Sequence, residues 1–254
     1  MHSDNPISIF WTGGWDSTFR VLYQVIIKKE TIQPYYIKGL GRASQSLEIS
    51  TMESIKRALY NQFPDTKGLI KDTEFIRSDN IPVTKSIKNS FMVIQKKYNL
   101  GNQYYFMAEF AKKSAISNIE VCIQGELTIS KYISEEDPIH IDPQYTETDF
   151  YNIFGSFAFP ILNMSKLEMK RIATKHNFID LLNKSWFCHY PINANPCGVC
   201  LPCMIVMEEK LYSRMPLISK IRYYISPKRH IKSILKKNQK YNYIAKRLFS
   251  SVVK

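Results

Sequence analysis

The strongest constraint on this chain is an alternation. Short runs of β-branched and aromatic residues, each ended by a turn signal, are separated by longer stretches whose apolar residues recur at helical spacing. Ile7 to Trp11 is the first run, and it stops at Thr12-Gly13-Gly14. A helix is predicted from about Ser17, with Phe19, Leu22, Tyr23 and Ile26 at helical spacing. Tyr35 to Lys38 reads as a second strand after Pro34, and Leu47 to Phe63 as a helix carried by Leu47, Met52, Ile55, Leu59 and Tyr60. Thr73 to Arg77 resembles a third strand, Asn102 to Ile116 a helix, and Ile119 to Ile123 a fourth strand closing at Gly125. Further on, Ser165-Lys166-Leu167-Glu168 has the capping-box pattern, so a helix should run from there to about His176. Strand, helix, strand, repeated, is the mark of a parallel sheet with crossover helices. The expected class is α/β, with a small helical lobe toward the C-terminus.

Composition refines the picture at two points. With 44% hydrophobic and 22% charged residues the chain has the make-up of a packed globular protein, which excludes disorder and fibrous classes. No stretch approaches the roughly 18 apolar residues of a membrane span, and the N-terminus lacks the basic-then-apolar order of a signal peptide, so a soluble, cytoplasmic protein is expected. The net charge of +13 is not spread evenly. Residues 1–209 carry 22 basic and 22 acidic groups, whereas Lys210 to Lys254 carry 13 basic groups and no acid. A neutral body with a basic tail follows, and such a tail can meet a polyanion or an anionic membrane surface, or simply stand solvated. Within it Ile218, Ile221, Tyr224, Ile225, Ile231, Ile234, Leu235, Tyr243, Ile244 and Leu248 recur at near-helical spacing, as in an amphipathic helix pair. Three regions are therefore expected: an α/β domain over 1–160, a helical, cysteine-bearing lobe over 161–213, and the tail over 214–254.

Two local patterns carry chemistry. Thr12-Gly13-Gly14-Trp15-Asp16-Ser17-Thr18 lies between the first strand and the first helix, where nucleotide-binding α/β folds place a phosphate loop. It is neither a Walker A loop nor a dinucleotide fingerprint. Its glycines let the backbone approach an anion closely, successive amides and the helix N-terminus favour phosphate, and Thr12 and Ser17 add hydroxyl donors. Asp16 suits loop orientation or Mg²⁺ better than phosphate contact. The plain alternative is a capped Gly-Gly turn.

The second pattern is Cys188-x8-Cys197-x2-Cys200-x2-Cys203, four of the five cysteines. Four thiolates complete a closed tetrahedral Zn²⁺ site, and Gly198 and Pro202 suit the tight turns between the pairs. The last three cysteines also have the spacing that opens a ferredoxin motif, so an iron-sulfur cluster stays open as a rival. Cys122, alone in a predicted strand, reads as a small core residue, and His189 as a weak substitute ligand. A short helix is predicted from about Met204, after loop residues 191–198.

The first pattern resembles the SGGxDS pyrophosphate loop of the N-type ATP pyrophosphatases, with Thr12 in place of the first serine. Together the two patterns are similar to one branch of that group, the 7-cyano-7-deazaguanine synthases, over most of residues 6–212. Arg42 and Gln45 fall where that branch has a Gly-x-Arg segment, and Phe159-Pro160 with Ser165-Lys166-Leu167-Glu168 resembles its Pro-Leu and Thr-Lys-x-Glu stretches. The resemblance implies an adenine nucleotide alpha hydrolase-like fold, ATP and Mg²⁺ at Thr12 to Thr18, catalytic roles for Asp16, Ser17 and Lys166, substrate contacts from Arg42 and Gln45, structural Zn²⁺ on the four cysteines, and frequent homodimers. It also implies a reaction: a small carboxylate is adenylated, then aminated by ammonia, and in that branch the amide is activated again to give a nitrile. The substrate side departs from the pattern, with Ala43 in place of a histidine, Asn102-Gln103 in place of Arg-Asn, and Glu-Leu-Thr-Ile-Ser-Lys after Gly125 in place of an aspartate-rich segment. A carboxylate other than 7-carboxy-7-deazaguanine is thus open. Two other readings remain: a tRNA-modifying pyrophosphatase that grips RNA with its basic tail, and an inactive zinc-containing nucleic-acid-binding relative.

Overall fold

The computed structural model describes residues 5–98, 100–123, 127–209 and 211–227. By internal contacts the chain divides into two compact units, Met1–Trp186 and Phe187–Lys254.

The first unit is built on a five-stranded sheet in which every pairing is parallel, in the order β3-β2-β1-β4-β5. The strands are β1 (Ile7–Phe10), β2 (Ile32–Lys38), β3 (Glu74–Arg77), β4 (Ile119–Glu120) and β5 (Phe157–Ala158). Between and after them run α1 (Trp15–Tyr23), continued by one π turn (Gln24–Lys28), then α2 (Gln45–Gln62), α3 (Lys85–Tyr98), α4 (Gln103–Ser114), α5 (Leu127–Ser130), α6 (Asp149–Phe154), α7 (Lys166–Lys175) and α8 (Ile179–Asn183). The alternation of side chains along each strand sorts the core into two layers. Ile9, Trp11, Ile32 and Tyr36 face one layer, with Phe19 and Leu22 of α1, Met52 and Leu59 of α2, and Met169, Ala173, Leu181 and Leu182 of α7 and α8. Phe10, Tyr35, Ile37, Ile119 and Phe157 face the other, with Phe91 of α3, Phe110 of α4 and Phe154 of α6. Both faces of the sheet are covered, as parallel sheets require.

The expected α/β class with a parallel sheet holds, and the differences lie in the extents. α1 begins at Trp15, two residues ahead of the predicted Ser17, because Gly14 takes the extended conformation of an N-cap. Asp16 and Ser17 therefore sit in the first helical turn. β2 contains Pro34, which the sequence reading placed before the strand. Ile32 bonds toward the β3 side, through Leu69 and Lys71, so Pro34 two residues on faces that side as well. There it occupies the gap between the Ile32–Ile70 bridge and the start of β3 pairing at Tyr35–Glu74, where its missing N–H breaks no ladder bond. β4 is only two residues long, so Cys122 lies just past a strand instead of inside one. α3, α5, α6, α8 and β5 were not anticipated, although Ile87, Phe91 and Ile94 of α3 have helical spacing. Ser165 caps α7, its Oγ accepting from the Glu168 amide at 3.1 Å, as the capping pattern predicts.

The boundary expected near residue 160 falls instead at Trp186, because α7 and α8 bury Met169, Ala173, Phe178 and Leu182 in the same layer as β1. The second unit holds the four cysteines, α9 (Leu201–Glu208) and α10 (Leu217–Ile225). α9 starts at Leu201, ahead of the predicted Met204, with Cys200 as its N-cap. The predicted helix of the tail is present as far as Ile225. Ile231, Ile234, Leu235, Tyr243, Ile244 and Leu248 lie outside the described residues, as does Gly125. Among the described residues no helix is long and apolar enough to cross a membrane.

Candidate functional site

Strand order reverses at β1, which has β2 on one side and β4 on the other. In open parallel sheets ligands bind outside the carboxyl ends of the strands at such a reversal. The Thr12–Thr18 loop leaves β1 at that end.

Its shape follows from the two glycines. Gly13 has φ of 68°, and a Cβ there would stand 2.9 Å from the Glu48 carbonyl oxygen and 3.3 Å from the Met52 side chain, so α2 leaves room for glycine alone. The Gly13 carbonyl accepts from the Trp186 amide at 2.8 Å, pinning the turn from its other side. Gly14 caps α1 without a side-chain oxygen over the helix end. The positive end of the helix dipole thus opens onto the loop. Thr12 and Ser17 close together across the turn: the Thr12 amide donates to Ser17 Oγ at 3.3 Å, and their hydroxyls are 3.3 Å apart. Trp15 and Thr18 turn the other way. Trp15 is buried in the α1 layer, and buried Thr18 accepts from the Trp11 indole at 3.1 Å. Of the seven loop residues, then, these two side chains build the turn, while the hydroxyls of Thr12 and Ser17 pair across it and Asp16 lies in the first turn of α1.

Arg42 and Gln45 follow β2. Gln45 has a local task, its Oε1 accepting from the Gly39 amide at 2.7 Å. Arg42 belongs to a polar cluster that the sequence reading did not foresee. Buried Glu48 of α2 accepts from Tyr36 Oη at 2.8 Å and from Ser44 Oγ at 2.6 Å, and Arg42 lies 3.5 Å from the same carboxylate. A second arm of the Arg42 guanidinium donates to Gln103 at the start of α4. Burial, and then the Glu48 charge, push the Tyr36 phenol well above its usual range, so Tyr36 stays a donor. One residue thus ties the two predicted ligand sites together: the Glu48 backbone bounds Gly13 and its carboxylate fixes Arg42. The signal was legible, since Glu48 occupies a helix stripe with Met52, Ile55 and Leu59, where an acid needs partners.

On the β4 side, Arg20 of α1 and Glu120 form a two-point pair, Nε to Oε2 at 2.8 Å and Nη2 to Oε1 at 2.5 Å. Burial opposes the Arg20 charge, but the paired carboxylate outweighs it and the pKa rises. Burial, then Glu120, pushes the neighbouring Cys122 thiol up, which keeps it a neutral packing group, as expected of it. Lys166 is the first residue of α7, a helix that packs on α1.

In the second unit the ligand atoms of Cys188, Cys197, Cys200 and Cys203 lie within 4.8 Å of one another, all four buried. An ion with four thiolate bonds of about 2.3 Å holds neighbouring sulfurs about 3.8 Å apart. Cys188 and Cys200 are 3.8 Å apart at sulfur, and Cys197 and Cys203 3.9 Å. Backbone amides supply the outer support: Cys197 N donates to Cys188 Sγ at 3.1 Å, and Val199 N and Cys200 N donate to Cys197 Sγ at 3.4 and 3.3 Å. Sulfurs this close cannot all ionise unaided. Cys197 is held low by hydrogen bonds from Cys188 and the others, while Cys188, bonded to Cys197, and Cys203, bonded to Cys188, are pushed up. The cluster can hold a metal ion such as zinc. An iron-sulfur cluster would spread its thiolates around its own corners, wider than these spacings, so the geometry favours a single ion.

No protein-family model matches the chain, and no curated protein is similar to it.

Proposed function

We propose that the chain is an ATP-dependent, AMP- and pyrophosphate-forming enzyme that activates a small carboxylate and aminates it with ammonia, in the manner of the 7-cyano-7-deazaguanine synthases it resembles. One observation carries this reading: the Thr12–Ser17 turn stands at the reversal point of a parallel sheet, with Gly13 in a positive-φ position and the N-terminus of α1 left without a side-chain cap. The four-cysteine cluster is the second element of the resemblance.

In this reading the Gly13-Gly14 backbone and the Thr12 and Ser17 hydroxyls hold the β- and γ-phosphates of substrate ATP. A carboxylate oxygen of the second substrate attacks the α-phosphorus, the bond to the bridging oxygen breaks, and pyrophosphate leaves carrying the electron pair. Ammonia then attacks the acyl carbon, AMP departs with the acyl oxygen, and nitrogen loses a proton to give the amide. Adenylation of the amide oxygen by a second ATP, with loss of AMP and two protons from nitrogen, gives a nitrile. Mg²⁺ bound with ATP supplies charge neutralisation, and the Asp16 carboxylate is the hard oxygen donor suited to hold it. Arg42, held by Glu48 and Gln103, is assigned by the resemblance to an anionic group of the second substrate. Lys166 at the start of α7 is assigned to phosphate charge by resemblance alone. The sulfur spacings support a structural ion over an iron-sulfur cluster.

The test is release of pyrophosphate and AMP from ATP, Mg²⁺, ammonia and a panel of carboxylates that includes 7-carboxy-7-deazaguanine. Ser17→Ala, which removes a phosphate donor, and Asp16→Ala, which removes the carboxylate assigned to Mg²⁺, should each lower turnover by about 100-fold or more, with the melting temperature little changed. Wild-type protein that neither releases pyrophosphate with any carboxylate nor gains thermal stability from ATP would overturn the proposal.

A further inference from the structure

α10 is built inside out. A surface helix ordinarily turns its apolar stripe to the body and its polar face to water. Here Ser219 is wholly buried and Ser226, just past the helix end, is buried too, while Leu217 and Ile225 are 73% and 72% exposed and Ile218, Ile221 and Tyr224 between 46% and 51%. At about 100° per residue those five exposed residues share one arc of roughly 120°, opposite Ser219 and Ser226. Mere looseness does not explain the orientation, because the inward face is fitted to the cysteine loop. Ser219 Oγ donates to the Pro196 carbonyl at 2.5 Å, and a Cβ on Gly198, whose φ is 84°, would stand 2.2 Å from the Ser219 carbonyl oxygen. The loop that carries Cys197 and Cys200 therefore seats α10 by its small polar side and holds its apolar side outward.

Charge identifies what covers that side. Lys220 and Arg222 lie on α10 itself, and from Lys210 to Lys254 there are 13 basic residues and no acidic one. A second copy of the chain would bring the same excess of positive charge and be repelled. Nucleic acid would match the charge, but it has no use for an Ile- and Leu-rich stripe. An anionic phospholipid surface meets both properties at once, since the apolar arc enters the boundary between headgroups and acyl chains while the basic residues stay among the headgroups. We infer that α10, with the basic sequence that flanks it, docks this protein on an anionic membrane leaflet, held there from the cysteine loop. This inference is independent of the reaction proposed above.

Full-length, metal-loaded protein should float with vesicles of phosphatidylcholine and phosphatidylserine (7:3) at 0.1 M salt. It should not float with pure phosphatidylcholine, and it should be released at 0.5 M salt. Ile221→Glu with Ile225→Glu, both at exposed positions, should cut the bound fraction at least tenfold while leaving metal content and the far-ultraviolet circular dichroism unchanged. Replacing the basic residues of 228–254 by glutamine should remove the preference for phosphatidylserine. Absence of flotation, equal flotation with both vesicle types, or flotation indifferent to the double substitution would each overturn the inference. So would salt-sensitive RNA binding without vesicle binding, and so would dimers that the double substitution dissociates. The unsubstituted stripe failing to bind vesicles until residues 228–254 are deleted would show that the chain covers its own helix, which also overturns it.

Discussion

The two units of this chain are held together by different physics. Met1–Trp186 closes over two apolar layers, and among its fully buried side chains are Trp11, Phe19, Phe154, Phe157, Phe159 and Phe178. The described part of Phe187–Lys254 has little of this: its buried apolar residues are Cys188, Cys197, Cys200, Cys203, Met204, Val206, Met207 and Met215. A large unit can remove enough hydrocarbon from water to offset its chain entropy, whereas a small one needs covalent or coordinate links. Half the buried apolar positions described in the second unit are the four cysteines that could hold a metal ion. The fold of the second unit is therefore expected to depend on a bound ion, and that of the first is not.

That contrast can be broken most directly by stripping any metal ion that the four cysteines hold. Structural zinc contributes on the order of 10 kcal/mol to small domains. A strong chelator should thus unfold the second unit, seen as loss of α9 and α10 helicity and new proteolysis after Phe187, while the first unit stays protected in hydrogen exchange. Acid should do the same. Protons compete with the metal for the thiolates, so stability present at neutral pH is lost as pH falls, in step with release of the ion. Unfolding of both units together would end the distinction.

The converse experiment is Phe178→Ala, which empties a wholly buried site beside Phe19 in the first unit. A loss of about 3–5 kcal/mol is expected in the denaturant transition of that unit, with metal stoichiometry unchanged. Gly198→Ala is smaller and lies in the second unit. It strains a positive φ and forces the cysteine loop away from Ser219, for about 2 kcal/mol, read as easier chelation with no change in the sheet unit. Ser165→Ala removes only the cap of α7 and should cost about 1 kcal/mol in the first unit alone.

Legibility in the sequence followed the range of the cause. The Thr12–Ser17 turn, the α7 cap and the cysteine spacing are set by neighbours in the chain, and each was readable. β5 was not, because two residues carry no period; Phe157–Ala158 are a strand only because β4 presents Ile119 and Glu120 to pair with. Likewise α7 and α8 read as part of a separate lobe until Met169, Ala173 and Phe178 are seen in the same layer as Ile9 and Trp11. Within the candidate site, Arg42 was picked out by the family resemblance alone. Of its partners, Glu48 could have been found from its place in the apolar stripe of α2, whereas the pairing with Gln103, 61 residues away, leaves no local trace.

By itself the amino-acid sequence determined the α/β class, the glycine turn that follows the first strand, and the four thiolates, all of which rest on backbone preference, period or donor chemistry within a few residues. Tertiary structure alone decided that Trp15 and Thr18 point into the core, that Glu48 joins the turn to Arg42, and that α10 presents its apolar side outward. Those outcomes depend on which surfaces meet after the chain collapses. A side chain's role there is set by the volume and partners it finds, and its neighbours in sequence do not specify either.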